Sequence, residues 1–92
     1  MASVHGFVQG VGFRWFVQRE AARLGVQGWV ANDVDGSVQV VAEGTRERLE
    51  ELEAVLRDGP PAASVSDVRV RHEPARGNLA GFTIRSGGHR GD

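Results

Sequence analysis

The chain has 92 residues and a mass of 9.9 kDa, with 11 Lys+Arg against 12 Asp+Glu and a formal net charge of -1. This length predicts one domain, and the 40% hydrophobic and 25% charged fractions are typical of a globular protein and exclude a disordered chain. The near-zero net charge is evidence against a dedicated nucleic-acid module, and the absence of cysteine excludes disulfides and thiolate nucleophiles and fits a cytoplasmic location.

The first part of the chain predicts a strand, a glycine loop and a helix. Residues 1–8 alternate between two faces, which is a strand period. Two glycines in three positions then break the pattern within residues 9–12. From Phe13 to Leu24 apolar residues recur at helical spacing, and Gly25 is suited to end the helix.

The rest of the chain predicts a hairpin, a second helix and two more strands. In order, the predicted elements are a strand at 26–32, a turn at 33–36, a strand at 37–43, a helix capped by Thr45 and stopped by Gly59-Pro60-Pro61, a strand from about Val65 to Glu73, a loop at 74–78, a short strand at 80–84 and a frayed tail at 87–92.

This order of elements predicts an α+β, ferredoxin-like βαββαβ fold, in which two helices cover one face of a mixed sheet, with a short extra C-terminal strand. In that fold the first and second strands run parallel, with the third antiparallel between them. The loop after the first strand and the end of the second then share one edge of the sheet, about 9.5 Å apart. Residues 9–14 and Asn32 are therefore predicted to form the walls of a small-anion site.

The glycine loop has two interpretations. Successive N–H groups at a helix start can converge on an anion, and Arg14 can add a bidentate donor fork for phosphate oxygens. The same loop can also be only a tight turn. A dinucleotide motif fails because Trp15 stands where a third glycine is needed, and a Walker motif fails because the chain has no lysine.

Asn32 also has two interpretations, and we expect it at an exposed strand end. It can be a turn residue whose amide bonds neighbouring backbone. It can instead orient a water molecule without holding a charge, which suits a position beside a phosphate dianion.

The remaining candidate residues indicate no second chemistry. The three histidines lack metal-ligand spacing, and no serine lies in a nucleophile elbow, so we expect no metal and no cofactor. Trp15 and Trp29 are interpreted as packing residues. The acidic residues of the second helix are interpreted as a solvated face; they are Glu47, Glu50, Glu51 and Glu53.

Two motifs resemble the signatures of the acylphosphatase family. Residues 4–14, Val-His-Gly-Phe-Val-Gln-Gly-Val-Gly-Phe-Arg, resemble the first signature, and residues 28–32 followed by Asp35-Gly36 resemble the second. The ending at residues 81–85 also matches. The likeness covers nearly the whole chain, so we expect an acylphosphatase-like domain at 1–86 and a flexible C-terminal tail at 87–92.

The resemblance implies hydrolysis of the carboxyl-phosphate anhydride of an acyl phosphate by direct attack of water. It implies that Asn32 positions this water and that Arg14 binds the phosphate. Loop amides would share that binding; they belong to Gln9, Gly10, Val11, Gly12 and Phe13. Ala31 and Asp33 depart from the family pattern, and Asp33 bears on substrate preference. No general base is evident in the sequence. Together with the resemblance, this implies that the substrate's own phosphate accepts the proton of the attacking water.

Other interpretations remain open at this point. The domain is also similar to the N-terminal part of hydrogenase-maturation carbamoyltransferases. A second class is a non-catalytic ferredoxin-like module that binds an anion or a nucleic acid. The expected partners are an acyl phosphate substrate and inorganic phosphate or sulfate as competing anions. We expect a monomer without a nucleic-acid or membrane partner, since no apolar run approaches the ~20 residues of a membrane span.

Overall fold

Five strands and two helices make up the part of the chain that the computed structural model describes, residues 1–86. In chain order they are β1 (Ala2–Phe7), α1 (Phe13–Leu24), β2 (Gln27–Asn32), β3 (Val38–Glu43), α2 (Arg46–Asp58), β4 (Ser64–Val70) and β5 (Phe82–Arg85). Neither helix is long and apolar enough to cross a membrane. The predicted tail at 87–92 lies outside the described residues.

The strands form one sheet in the order β4-β1-β3-β2-β5. β3 lies between β1 and β2 and is antiparallel to both, whereas β5 is parallel to β2 at one edge. The predicted ferredoxin-like topology, including the extra C-terminal strand, is confirmed. The parallel arrangement of β1 and β2 brings the chain segments that follow them to the same end of the sheet.

One apolar core joins both helices to one face of the sheet. The stripe predicted for α1 is confirmed, because Phe13, Val17 and Ala21 are buried in this core. Leu52 and Leu56 supply the buried face of α2. Full burial of each large apolar side chain stabilises the fold by about 1.5–3 kcal/mol. The core therefore fixes α1, and with it the loop that precedes α1, against the sheet.

The end of β4 was predicted too far along the chain. The strand ends at Val70, not at Glu73. β4 is an edge strand that pairs only with β1, and β1 begins at Ala2. Next to this pair the Arg71 N–H donates to the Met1 carbonyl at 2.8 Å, and the Met1 amino group donates to the Arg71 carbonyl at 2.9 Å. The strand therefore ends where its pairing with β1 ends, at the pair of Ala2 and Val70.

Candidate active site

The glycine loop and the end of β2 meet at one edge of the sheet. Val4 of β1 pairs with Val38 of β3, and Val38 pairs on its other side with Asn32. From the loop, the Gln9 side-chain amide donates hydrogen bonds to the carbonyls of Asp33 at 2.8 Å and Ser37 at 2.9 Å. The segment after β1 is thus tied directly to the β2–β3 turn.

The backbone of the loop has the form of an anion-binding nest. Gly10 and Gly12 have φ angles of 74° and 77°, and no non-glycine residue among residues 1–86 has a positive φ. The sign of φ therefore alternates from Gln9 to Gly12, a pattern that turns successive N–H groups toward one point. A Cβ on Gly10 or Gly12 would meet no heavy atom within 4 Å, so the loop borders open space.

The start of α1 lacks the side-chain cap that α2 has. Its N-cap residue is Gly12, no side chain of the described residues caps it, and its first turn holds no acidic residue. At α2, by contrast, the Thr45 hydroxyl accepts a hydrogen bond from the Arg48 N–H, and Glu47 lies in the first turn. The first N–H groups of a helix and its positive dipole end favour an anion. At α1 no side chain of the described residues takes this place, which leaves the helix start suited to an external anion.

Arg14 is the second residue of α1 and is half-buried. Its place in the first helical turn puts its backbone among the uncapped N–H groups of that turn. A guanidinium on this turn can supplement backbone N–H donors with a planar pair of donors for phosphate oxygens. The phosphate-binding role of Arg14 stays a prediction.

Asn32 is buried, which corrects the expectation of an exposed strand end. The residue is 8% exposed, and its side-chain oxygen Oδ1 is buried. It is the last residue of β2, and its backbone pairs with Val38 of β3. A buried amide has a fixed orientation, because buried polar atoms are held by hydrogen bonds or ordered water. Such an amide can orient a water molecule more sharply than an exposed one.

Asp33, one of the two departures from the family pattern, is part of the turn. Its Oδ1 accepts a hydrogen bond from the Val34 N–H, and its own N–H donates to the Ser37 carbonyl at 2.9 Å. The other departure, Ala31, is buried and packs within β2. The Asp33 carboxylate therefore has a local structural role in this turn.

A set of hydrogen bonds around Ser37, which the sequence did not reveal, supports the turn. Ser37 is buried, and both its hydroxyl and its N–H donate to Asp35 Oδ1, at 2.6 and 2.9 Å. These bonds hold the pKa of the Asp35 carboxyl below its usual value, with a smaller electrostatic contribution from nearby His5. The Ser37 carbonyl in turn accepts from Gln9. The Asp-Gly-Ser sequence was a signal for the turn, but not for its bond to the loop.

We expect Gln9→Ala to loosen the site. Loss of two hydrogen bonds, each with a net value of about 0.5–1.5 kcal/mol, frees the loop from the β2–β3 turn. The inhibition constant for inorganic phosphate should rise several-fold, with a fall in the melting temperature. Gln27→Ala is the control, because Gln27 is exposed at the opposite end of β2. Equal phosphate inhibition in wild type and Gln9→Ala would contradict a positioning role.

Two glycine variants separate backbone strain from loss of the nest. Gly12 and Gly25 have similar left-handed φ angles of 77° and 73° at opposite ends of α1. An alanine in this conformation costs about 1–2 kcal/mol at either position. We expect similar losses of thermal stability for Gly12→Ala and Gly25→Ala, but weaker phosphate inhibition for Gly12→Ala alone. Unchanged phosphate inhibition in Gly12→Ala would show that the loop is only a turn.

Other predicted residues lie away from this edge or have local partners. Trp15 is 72% exposed, so its interpretation as a packing residue is wrong, whereas Trp29 packs beneath the Arg85 guanidinium. His5 Nε2 lies 2.8 Å from Ser3 Oγ on β1. Within residues 1–86 no group of three or more His, Cys, Asp or Glu side chains could hold a metal ion.

The fold and the loop together define a ferredoxin-like domain whose glycine loop has the backbone form of a nest and leads into a helix start without a side-chain cap among the described residues. A model of the family described as acylphosphatase matches residues 1–84. The chain belongs to the acylphosphatase family.

Individual relatives and solved structures agree with the family. An acylphosphatase of Rhodococcus jostii is 50% identical over 84 residues, which cover 91% of this chain and 94% of that protein. One of Thermococcus kodakarensis is 51% identical over 81 residues, 88% of each chain. The crystal structure of acylphosphatase from Bacillus subtilis matches with a TM-score of 0.88 and 38% identity, covering 91% of this chain and 93% of that one.

A larger protein contains a similar domain. The crystal structure of full-length HypF, in the phosphate- and nucleotide-bound form, matches 94% of this chain with a TM-score of 0.84 and 28% identity. The match covers only 11% of that protein. The similarity therefore concerns one domain-sized part of HypF.

Proposed function

We propose that this chain hydrolyses acyl phosphates to a carboxylate and inorganic phosphate, with Arg14 binding the phosphate and Asn32 orienting the water. One observation carries the assignment of roles. The uncapped start of α1 and the buried Asn32 belong to two segments that Gln9 ties together at one sheet edge. These hydrogen bonds support a site in which the start of α1 binds the phosphate and the Asn32 amide orients the water.

Phosphate binding comes first in the proposed mechanism. The nest amides from Gln9 to Phe13 donate to phosphate oxygens, and the Arg14 guanidinium adds two charge-assisted bonds. Donors fixed in advance stabilise the charge that develops on these oxygens in the transition state without reorganising. Preorganisation here depends on the hydrogen bonds from Gln9 to the turn.

Hydrolysis then needs only a correctly placed water. The Asn32 amide holds the water against the phosphorus, and the water oxygen forms a bond to phosphorus as the anhydride P–O bond breaks. The acyl oxygen leaves as a carboxylate, and the water proton passes to a phosphate oxygen. A mixed anhydride has a good leaving group, so positioning and charge stabilisation can suffice.

Release of phosphate from acetyl phosphate and from benzoyl phosphate tests the function directly. We expect turnover of both, with competitive inhibition by inorganic phosphate or sulfate. Binding of phosphate with no release of phosphate from either substrate would instead indicate a non-catalytic anion-binding module. A cytoplasmic location, a monomeric state and the absence of nucleic-acid partners remain predictions.

We expect full activity in the presence of a chelator. In the proposed mechanism Arg14 and the loop amides meet the phosphate charge, and no step needs a divalent ion. The measurement is the rate of benzoyl phosphate hydrolysis before and after prolonged treatment with EDTA. Loss of activity that a divalent ion restores would contradict this mechanism.

A further inference from the structure

A cavity among residues 1–86 lies at the opposite end of the sheet from Asn32. It has a volume of about 500 Å³ and is bordered by the connection between β4 and β5, residues 71–81. This connection passes from one edge strand to the other. The Glu43 carboxylate holds it, accepting hydrogen bonds from the N–H groups of Arg76 at 2.9 Å and Gly77 at 3.3 Å. Small-molecule sites have volumes of about 300–1,000 Å³.

The wall of the cavity combines an aromatic ring with a cation. The Arg85 guanidinium carbon lies over the Trp29 ring, 4.7 Å from its centroid. Val41, Leu49 and Leu79 add apolar surface. A guanidinium over an aromatic ring is held by a cation–π interaction, and its N–H groups can still donate to a carboxylate. This wall therefore suits a ligand with both a flat apolar part and a negative charge.

The charges around the cavity favour an anion. Glu43 is occupied by two backbone N–H groups, and Glu73 is paired with Arg71 at 3.3 Å. Within the described part of the chain, the side chains of Arg76 and Arg85 have no carboxylate within ion-pair distance. Among the described residues that line the cavity, three arginines therefore stand against two carboxylates, which leaves an excess of one positive charge.

We propose that this cavity binds a small organic anion with a planar apolar body, of the class of aromatic carboxylates. The carboxylate is held by Arg76 and Arg85, and the ring packs against the Trp29 and Val41 walls. Trp29 precedes Asn32 by three residues on β2, a distance of about 10 Å. The cavity is therefore separate from the phosphate-binding loop, and this proposal does not depend on the proposed function.

Titration of ¹⁵N-labelled protein with 2-naphthoate tests the proposal by nuclear magnetic resonance. The two tryptophans give an internal control, because Trp29 lines the cavity and Trp15 lies on α1. We expect saturable shifts of the Trp29 indole N–H and the Gly77 amide, with the Trp15 indole unmoved. Uncharged 2-naphthamide should bind at least 10-fold more weakly, and saturating inorganic phosphate should not displace 2-naphthoate.

Substitutions identify the groups that bind the carboxylate. Arg76→Gln and Arg85→Gln should each weaken 2-naphthoate binding at least five-fold, while Arg19→Gln, on α1, leaves it unchanged. Arg76→Gln keeps the backbone bond to Glu43, so it tests charge even if Arg85→Gln perturbs the fold. Any one of three results would overturn the proposal. The first is the absence of a saturable shift of the Trp29 indole N–H, and the second is equal affinity for 2-naphthamide and 2-naphthoate. The third is displacement of 2-naphthoate by phosphate, accompanied by shifts in residues 9–14.

Discussion

Arg14→Ala should remove most of the hydrolytic activity and most of the affinity for inorganic phosphate. Loss of one preorganised donor group from an active site typically lowers the rate by about 10²–10³-fold. Arg14 supplies two charge-assisted bonds in the proposed site, so we expect a loss at the upper end of this range. Arg14→Lys should restore little, because an ammonium cannot replace the planar, bidentate guanidinium.

The measurements are kcat/KM for benzoyl phosphate and the inhibition constant of inorganic phosphate. Arg19→Ala is a matched control, because Arg19 is on the same helix with a side chain that is 75% exposed and lies 3.8 Å from Glu20. The melting temperature of both variants checks the fold. Near-normal phosphate affinity and turnover in Arg14→Lys would show that Arg14 does not bind the phosphate through a bidentate contact.

The elements and their order could be predicted because each one is specified by local residues. The apolar stripe from Phe13 to Leu24 predicts a helix that packs on the sheet. Gly25 ends this helix with the expected left-handed φ. The Asp-Gly turn between β2 and β3 likewise requires only local chemistry. Once these elements are fixed, the helical crossover makes β1 and β2 parallel, which places the β1–α1 loop and the end of β2 at the same edge of the sheet.

The details that escaped prediction depend on contacts between distant residues. The hydrogen bonds of Gln9 link positions 24 and 28 residues apart, and no spacing in the sequence reports them. Asn32 is buried, whereas its place at the end of a strand suggested exposure. β4 ends at Val70 because its pairing with β1 ends there, opposite Ala2. Local sequence patterns thus predict where the site lies. The contacts of its side chains depend on hydrogen bonds and strand pairs between residues that are far apart in the sequence.

Asn32→Ala should lower kcat strongly while leaving phosphate inhibition within a few-fold of the wild-type value. If Asn32 only orients water, its loss should reduce kcat by about 10²–10³-fold. Because Asn32 is buried, we also expect a stability loss of about 1–3 kcal/mol, which is greater than for an exposed strand end. Asn78→Ala, at an exposed loop position, is the control for both measurements.

Asn32→Asp separates water positioning from phosphate binding. The substitution keeps the size of the side chain but places a negative charge beside a phosphate dianion, so repulsion should raise the inhibition constant of phosphate as well as lower kcat. Raising the pH from 5 to 8 should strengthen this effect as the introduced carboxyl and the phosphate lose their protons. Circular dichroism checks that both variants fold. A folded Asn32→Ala that keeps most of its kcat would show that Asn32 is a turn residue and that another group holds the water.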